Sequence, residues 1–238
     1  MKRIVFACAA LTVANNVSHG ATIVVPPTST VLASWSFEST TAPTTATTSF
    51  DAGAADIGSK TTGSDALGVH ISAATFSTPV GNGSSKSLSS NTWAAGDYYQ
   101  FKIDSTGADN INVTFGQFRS STGSSDFKLA YSTDGTAFTD FQGGTYTAPT
   151  SPSWSSGTFQ SSTVFSFDLS GVTALNNQPA IYFRLQSTVA GTGTAGTGRV
   201  DDFTISDGPV QLTGVPEPSA AITMLSGLGF LGLLRRRS

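Results

Sequence analysis

Residues 99–135 read YQFKIDSTGADNINVTFGQFRSSTGSSDFKLAYSTDG. Tyr99, Phe101 and Ile103 alternate with polar neighbours, as do Ile111, Val113 and Phe115, and then Phe127, Leu129 and Tyr131. Alternation at period two sends every second side chain to one face, the mark of a half-buried strand. The breaks, Ser105-Thr106-Gly107 and Thr133-Asp134-Gly135, carry turn residues. Working outward, Ala33, Trp35 and Phe37 precede this stretch. Phe165, Phe167 and Leu169, then Ile181, Phe183 and Leu185, then Phe203 and Ile205 follow it, with a further break at Asn176-Asn177-Gln178-Pro179. No segment of the body shows the 3.6-residue period of a long helix. The pattern predicts an all-β chain with a single antiparallel β-sandwich over residues 30–208, its Phe-rich sheets packed roughly 10 Å apart. Residues 40–48 read as a long loop, and Gly191–Gly198 (GTGTAGTG) as a flexible loop before the last strand.

Composition narrows the function classes. Charged residues are 11% of the chain, against roughly 25% in an average soluble domain. Aromatics at 10% argue against disorder. Between Thr22 and Gly214 there are seven basic and fourteen acidic residues, a net charge of −7. An acidic body with no basic patch speaks against nucleic acid, whose phosphates require Lys and Arg. The single cysteine, Cys8, precedes the body, which therefore has no disulfide, thiolate metal site or cysteine nucleophile.

The ends read as addresses. Lys2-Arg3, the apolar run Ile4–Ala14, and then polar and small residues follow the order of a secretory signal peptide over residues 1–21. Ser18 and Gly20 serve as the small residues before a cleavage site at Ala21. The secretion translocase and signal peptidase are the partners expected there. At the other end, residues 209–214 read as a linker, and residues 215–238 form a three-part tail. Pro216-Glu217-Pro218 breaks regular structure. Ala220–Leu234 is uncharged and mostly apolar, a short helix of about 22 Å that is marginal for crossing a membrane core. Arg235-Arg236-Arg237 then belongs on the cytoplasmic side.

This tail resembles the PEP-CTERM sorting signal, carried by Pro216-Glu217-Pro218, the Gly-containing apolar run and the terminal arginines. The resemblance implies an exported protein, held at the inner membrane by its C-terminal helix and processed by an exosortase. The cell surface or extracellular space is its destination. Such proteins are typical of bacteria that make extracellular polysaccharide, which becomes an expected partner.

The body resembles jelly-roll β-sandwich domains of exported proteins. The residues that carry this are Trp35-Ser36-Phe37-Glu38, Tyr99–Ile103, Arg119-Ser120, Phe127–Gly135, Ile181-Tyr182-Phe183-Arg184 and Gly198–Phe203. Carbohydrate-binding modules share this architecture, and some hold a structural calcium between the first and last strands. The matching positions are Glu38, Asp201 and Asp202. Sugar rings stack on exposed aromatics, so Trp93 and Trp154, with Tyr98 and Tyr146, are the candidate ligand residues.

Catalysis has less support. His70 is the one histidine in the body, and no nucleophile-elbow motif accompanies it. A zinc site built on several histidines is excluded by that count. The expected body is a non-catalytic surface protein that contacts polysaccharide. The alternatives are a glycan-active hydrolase using two carboxylates and an ice-binding or adhesive protein using scattered Thr-x-Thr pairs.

Overall fold

A computed structural model describes residues 21–214; the expected signal peptide up to Gly20 and the expected helix in the tail from Val215 onward lie outside the described residues. The regular structure of the described chain is almost entirely strand. In order these are β1 (Ala21–Val24), β2 (Thr30–Trp35), β3 (Thr47–Gly53), β4 (Asp65–Ala74), β5 (Phe76–Ser77), β6 (Leu88–Ser90), β7 (Tyr98–Ile103), β8 (Ile111–Arg119), β9 (Asp126–Ser132), β10 (Thr139–Thr147), β11 (Val164–Asp168), β12 (Ile181–Ser187), β13 (Gly198–Asp207) and β14 (Gln211–Gly214). Two short 3₁₀ turns, Ser161–Thr163 and Thr173–Leu175, are its only helical pieces.

The strands build two sheets. One runs β10-β9-β12-β7-β4-β3; the other runs β11-β8-β13-β6-β5, with β2 added alongside β13. Every pairing is antiparallel. The alternating residues of the sequence supply both inner faces. Phe101 of β7 stacks on Phe203 of β13 with ring centroids 3.5 Å apart, and Trp35 of β2 meets Phe101 edge-on at 5.1 Å. Tyr99, Ile103, Leu129, Phe183, Leu185, Val113, Phe115 and Ile205 complete a fully buried core. Burying one such side chain contributes about 1.5–3 kcal/mol.

The outer faces differ. Strand β7 alternates half-buried and buried residues along its length, whereas β8 is buried at every position but its last. The outward residues of β8 and β13 lie beneath other parts of the chain. Trp154 covers Gly116 and Phe118, and the segment around Asn82 reaches Gln160 and Thr163. Polar groups trapped there pair with each other, as with Ser34 Oγ and Thr204 Oγ1 at 2.7 Å and Thr114 Oγ and Ser166 Oγ at 3.0 Å. We call this the covered sheet and its partner the open sheet.

Two strands stand apart. β1 and β14 form a separate two-stranded ribbon in which Ala21 faces Gly214 and Thr22 faces Thr213. The ordered chain thus extends past residues 30 and 208 on both sides. The segment expected as a linker, 209–214, ends in strand β14.

Candidate functional site

Register places three rows of outward side chains across the open sheet. The first is Asp65, Lys102, Tyr182 and Ser132. The second is Leu67, Gln100, Arg184, Ala130 and Asp140. The third is Val69, Tyr98, Gln186, Lys128 and Thr145. At the centre, the Arg184 guanidinium lies 3.9 Å from the Tyr98 ring centroid and 3.5 Å from that of Phe138. Its Nε donates to Gln100 Oε1 at 2.8 Å. A cation held flat between two rings gains both electrostatic and stacking attraction. Beside it, the Tyr182 ring lies against Gly135, where an added Cβ would come within 2.9 Å of the ring. Lys102 Nζ lies 6.0 Å from the centroid of the same Tyr182 ring. Asp51 stands beside Asp65, whose pKa is raised by burial and by that neighbouring carboxylate. The face is half-buried, bordered by the loop that carries Gly135 and Phe138, and presents π-surface, amide and guanidinium groups.

The expected ligand aromatics fall elsewhere, with one exception. Trp93 and Trp154 are only 4% and 5% exposed. Trp93 packs on His70, Tyr99 and Phe127 and donates its indole N–H to the Ser90 carbonyl. Trp154 donates to Thr163 Oγ1 at 2.9 Å. Neither offers a free ring face. Tyr146 turns inward, its hydroxyl donating to Gln117 Oε1 at 2.6 Å. Tyr98 alone reaches the open face. Tyr182 and Arg184 carried no signal by themselves, because only strand register shows them beside Tyr98.

Of the acidic residues, Asp201 and Asp202 are buried side by side, and Glu38 and Asp56 act on the charge of Asp202. Strand β13 pairs first with β6 and then with β2, and its register against β8 shifts between Asp201 and Thr204. Such an irregularity re-aims side chains, and Asp202 takes a positive φ of 49°. Asp201 is fully buried. Its carboxylate accepts from Asn82 N–H and Ser84 Oγ, each at 2.7 Å, and from Asp202 N–H at 2.9 Å. Gly81 lies so close that a Cβ there would sit 2.1 Å from Asp201 Oδ2. Burial pushes Asp201 up to about 7. Asp202 is raised well above the carboxylate range by burial and by Asp201, Asp56 and Glu38. Its Oδ2 is buried with no hydrogen-bond partner. Glu38 accepts from Lys86 N–H at 2.9 Å, and Asp56 accepts from both Ser36 N–H and Ser36 Oγ. A partnerless buried carboxylate oxygen amid other carboxylates suits a hard cation. Among the described residues no three Asp, Glu, His or Cys side chains are grouped to hold an ion by themselves. Backbone carbonyls would have to complete the shell.

His70 lies at the heart of a different cluster. Its Nε2 is 2.9 Å from Ser90 Oγ, and its Nδ1 is 2.8 Å from Asp97 Oδ2, a close approach not aligned as a hydrogen bond. Ser90 Oγ is 2.8 Å from the Tyr99 hydroxyl, which donates to the Gly198 carbonyl. The order Ser, His, Asp is that of a hydrolytic triad, yet Ser90 is fully buried and His70 is 3% exposed. No substrate reaches Ser90 in this fold. The chain of contacts ties β4 and β7 of the open sheet to β6 and β13 of the covered one.

Comparison with known proteins identifies one segment. Residues 214–238 match the model of the PEP-CTERM protein-sorting motif. The chain therefore carries this sorting motif behind a β-sandwich body, and the motif indicates an exported protein sorted to the cell surface. No curated protein matches the chain. Among solved structures, the xylan-binding domain of carbohydrate-binding module family 22 is similar at a TM-score of 0.39 and 13% identity, over 76% of this chain and 97% of that one. The family 11 carbohydrate-binding module of a Clostridium thermocellum cellulosomal cellulase gives 0.36 and 14%, over 80% and 96%. The two-module xylanase 10B structure of C. thermocellum, complexed with xylohexaose, gives 0.39 and 16%, over 60% of this chain and only 26% of that one. Scores at this level carry no ligand over to this chain.

Proposed function

We propose that the body is a non-catalytic module that holds extracellular polysaccharide across the open sheet, after delivery to the surface by an exosortase. The observation that carries this is the Tyr98–Arg184–Phe138 cluster on a sheet face whose Tyr98, Tyr182 and Arg184 stay partly exposed. Sugar rings present apolar C–H faces to flat π-surfaces and hydroxyls to amides, guanidinium and carboxylates. The three rows set Tyr98 and Tyr182 among amide, guanidinium, ammonium and carboxylate groups. A polysaccharide is also the ligand a surface-sorted protein would meet.

The test is affinity electrophoresis of residues 21–214 through gels containing polysaccharide from an exosortase-bearing bacterium. Retardation is expected. Tyr98→Ala, Tyr182→Ala and Arg184→Ala should each weaken it about tenfold, the scale of a lost stacking or charged contact. Unretarded wild-type protein overturns the reading. New reducing ends in the gel would make the body a glycan hydrolase instead, with Asp51 and Asp65 as the carboxylates to mutate first.

We infer in addition that calcium binds at the β13 irregularity, held by Asp202 and Glu38 with Asp201 fixing the backbone. The partnerless Asp202 Oδ2 supports this. Calcium should raise the unfolding temperature of chelator-treated protein, and Asp202→Asn should abolish the rise. An unfolding temperature indifferent to calcium removes the inference.

A further inference from the structure

The sorting motif begins where the fold ends. The matched segment starts at Gly214, which is also the last residue of β14. Pro216 lies two residues beyond, at most about 7 Å of extended chain. Proteins that grip a peptide in extended form do so by pairing with its backbone over several residues. A processing protease whose groove reaches more than two residues upstream of Pro216 therefore needs the backbone of Gln211–Gly214. That backbone is already paired with β1. The two pairings exclude each other.

The ribbon is suited to giving way. It belongs to neither large sheet, and two strands alone are marginally stable. Its apolar anchors are few: Ala21, Val210 and Leu212, at 6%, 4% and 7% exposed. Beneath it a cleft of about 390 Å³, lined by Thr114, Val164, Ser166 and Val210–Leu212, separates β14 from the covered sheet. The main body keeps its own core without it, since none of the three anchors belongs to the central cluster.

We propose that β14 is the recognition strand for the sorting protease, released from β1 and added to the enzyme's groove before the tail is cut. The proposal rests on the exosortase reading above. Processing is then gated by opening of the ribbon, and the stability of its four cross-strand residue pairs sets the rate.

The test uses the full chain in an exosortase-bearing host. Thr22→Cys with Thr213→Cys places two thiols at facing positions in a body that has no other cysteine. The oxidised double variant should be processed at least about tenfold more slowly than either single variant, with Arg235-Arg236-Arg237 retained by mass. Adding reductant should restore the rate. A second variant works in the opposite sense: Leu212→Ser loosens the ribbon and should speed processing about tenfold. A crosslinked chain processed at the wild-type rate, or an unchanged rate in Leu212→Ser, overturns the recognition-strand proposal while leaving sorting intact. Wild-type protein left uncut in that host overturns the exosortase reading and this proposal together.

Discussion

Strand β7 exposes one residue in two, from Tyr98 to Lys102, while β8 hides every residue from Ile111 to Phe118. Both strands follow the same alternation, and both face the same Phe-rich core. The difference lies outside them. Strand β7 sits in the middle of a sheet whose outer face is partly open to solvent, so its outward residues Tyr98, Gln100 and Lys102 stay half-exposed. Strand β8 is roofed by Trp154, Asn82 and the terminal ribbon, so its outward residues are small or paired: Asn112, Thr114, Gly116. Under the proposed function the first face serves recognition, while the second is packed for stability.

Substituting both faces would break or sharpen that contrast. The largest effect is expected from Trp154→Ala, which removes the roof over Gly116 and Phe118 and should cost about 3–5 kcal/mol in urea unfolding. Tyr182→Ala on the open face should cost within about 1 kcal/mol. Equal losses would mean that the open face is also a packing surface. Next comes Gly81→Ala, whose methyl would collide with Asp201 and Ser84 on the covered side. Overpacking there should cost about 1–3 kcal/mol, while Gly143→Ala, with open space around it in β10, reports only the strain of its positive φ.

The smallest effect concerns the interior that both sheets share. Burial lowers the pKa of His70 below its ordinary 6.5, despite Asp97 beside it. The unfolded chain then binds a proton that the folded chain refuses, so stability falls as pH drops. The contribution is fully present above pH 6.5 and is lost on descending through the folded-state value, by up to about 1.4 kcal/mol per pH unit. Asp201 and Asp202, raised by burial, act in the opposite sense over this range, so the His70 contribution is read as a difference: the wild-type unfolding midpoint minus that of His70→Gln should decline between pH 8 and 5. A difference that stays constant or grows on acidification would contradict the neutral, buried imidazole.

Which strands were legible depended on what faced inward. Strands β7, β8, β9, β11 and β12 carry large apolar residues at every second position, and their alternation announces them. Strand β4 alternates just as regularly, but its inward residues are Ala66, Gly68 and His70, which no hydropathy pattern marks. Gly68 is small because the Phe76 ring occupies the space its Cβ would take. Strands β3 and β10 are the edges of the open sheet. Their apolar content is low, and β10 is interrupted at Gly143-Gly144 by a register shift. Most of the stretch expected as a loop at 40–48 remains one, with β3 beginning only at Thr47.

The sequence by itself determined the β-sandwich, the acidic cysteine-free body and the sorting tail. These are properties of composition and local order: a period of two, a Pro-Glu-Pro, an apolar run, three terminal arginines. Tertiary structure alone decided which aromatics face solvent, because Trp93 and Tyr98 stand five positions apart and only the fold sends one inward and the other out. It alone set Arg184 between Tyr98 and Phe138, brought Glu38 and Asp56 to Asp202, and laid Ala21 against Gly214. Each of these joins residues far apart in the chain through strand register, and register is settled by the simultaneous packing of two sheets that no local stretch contains.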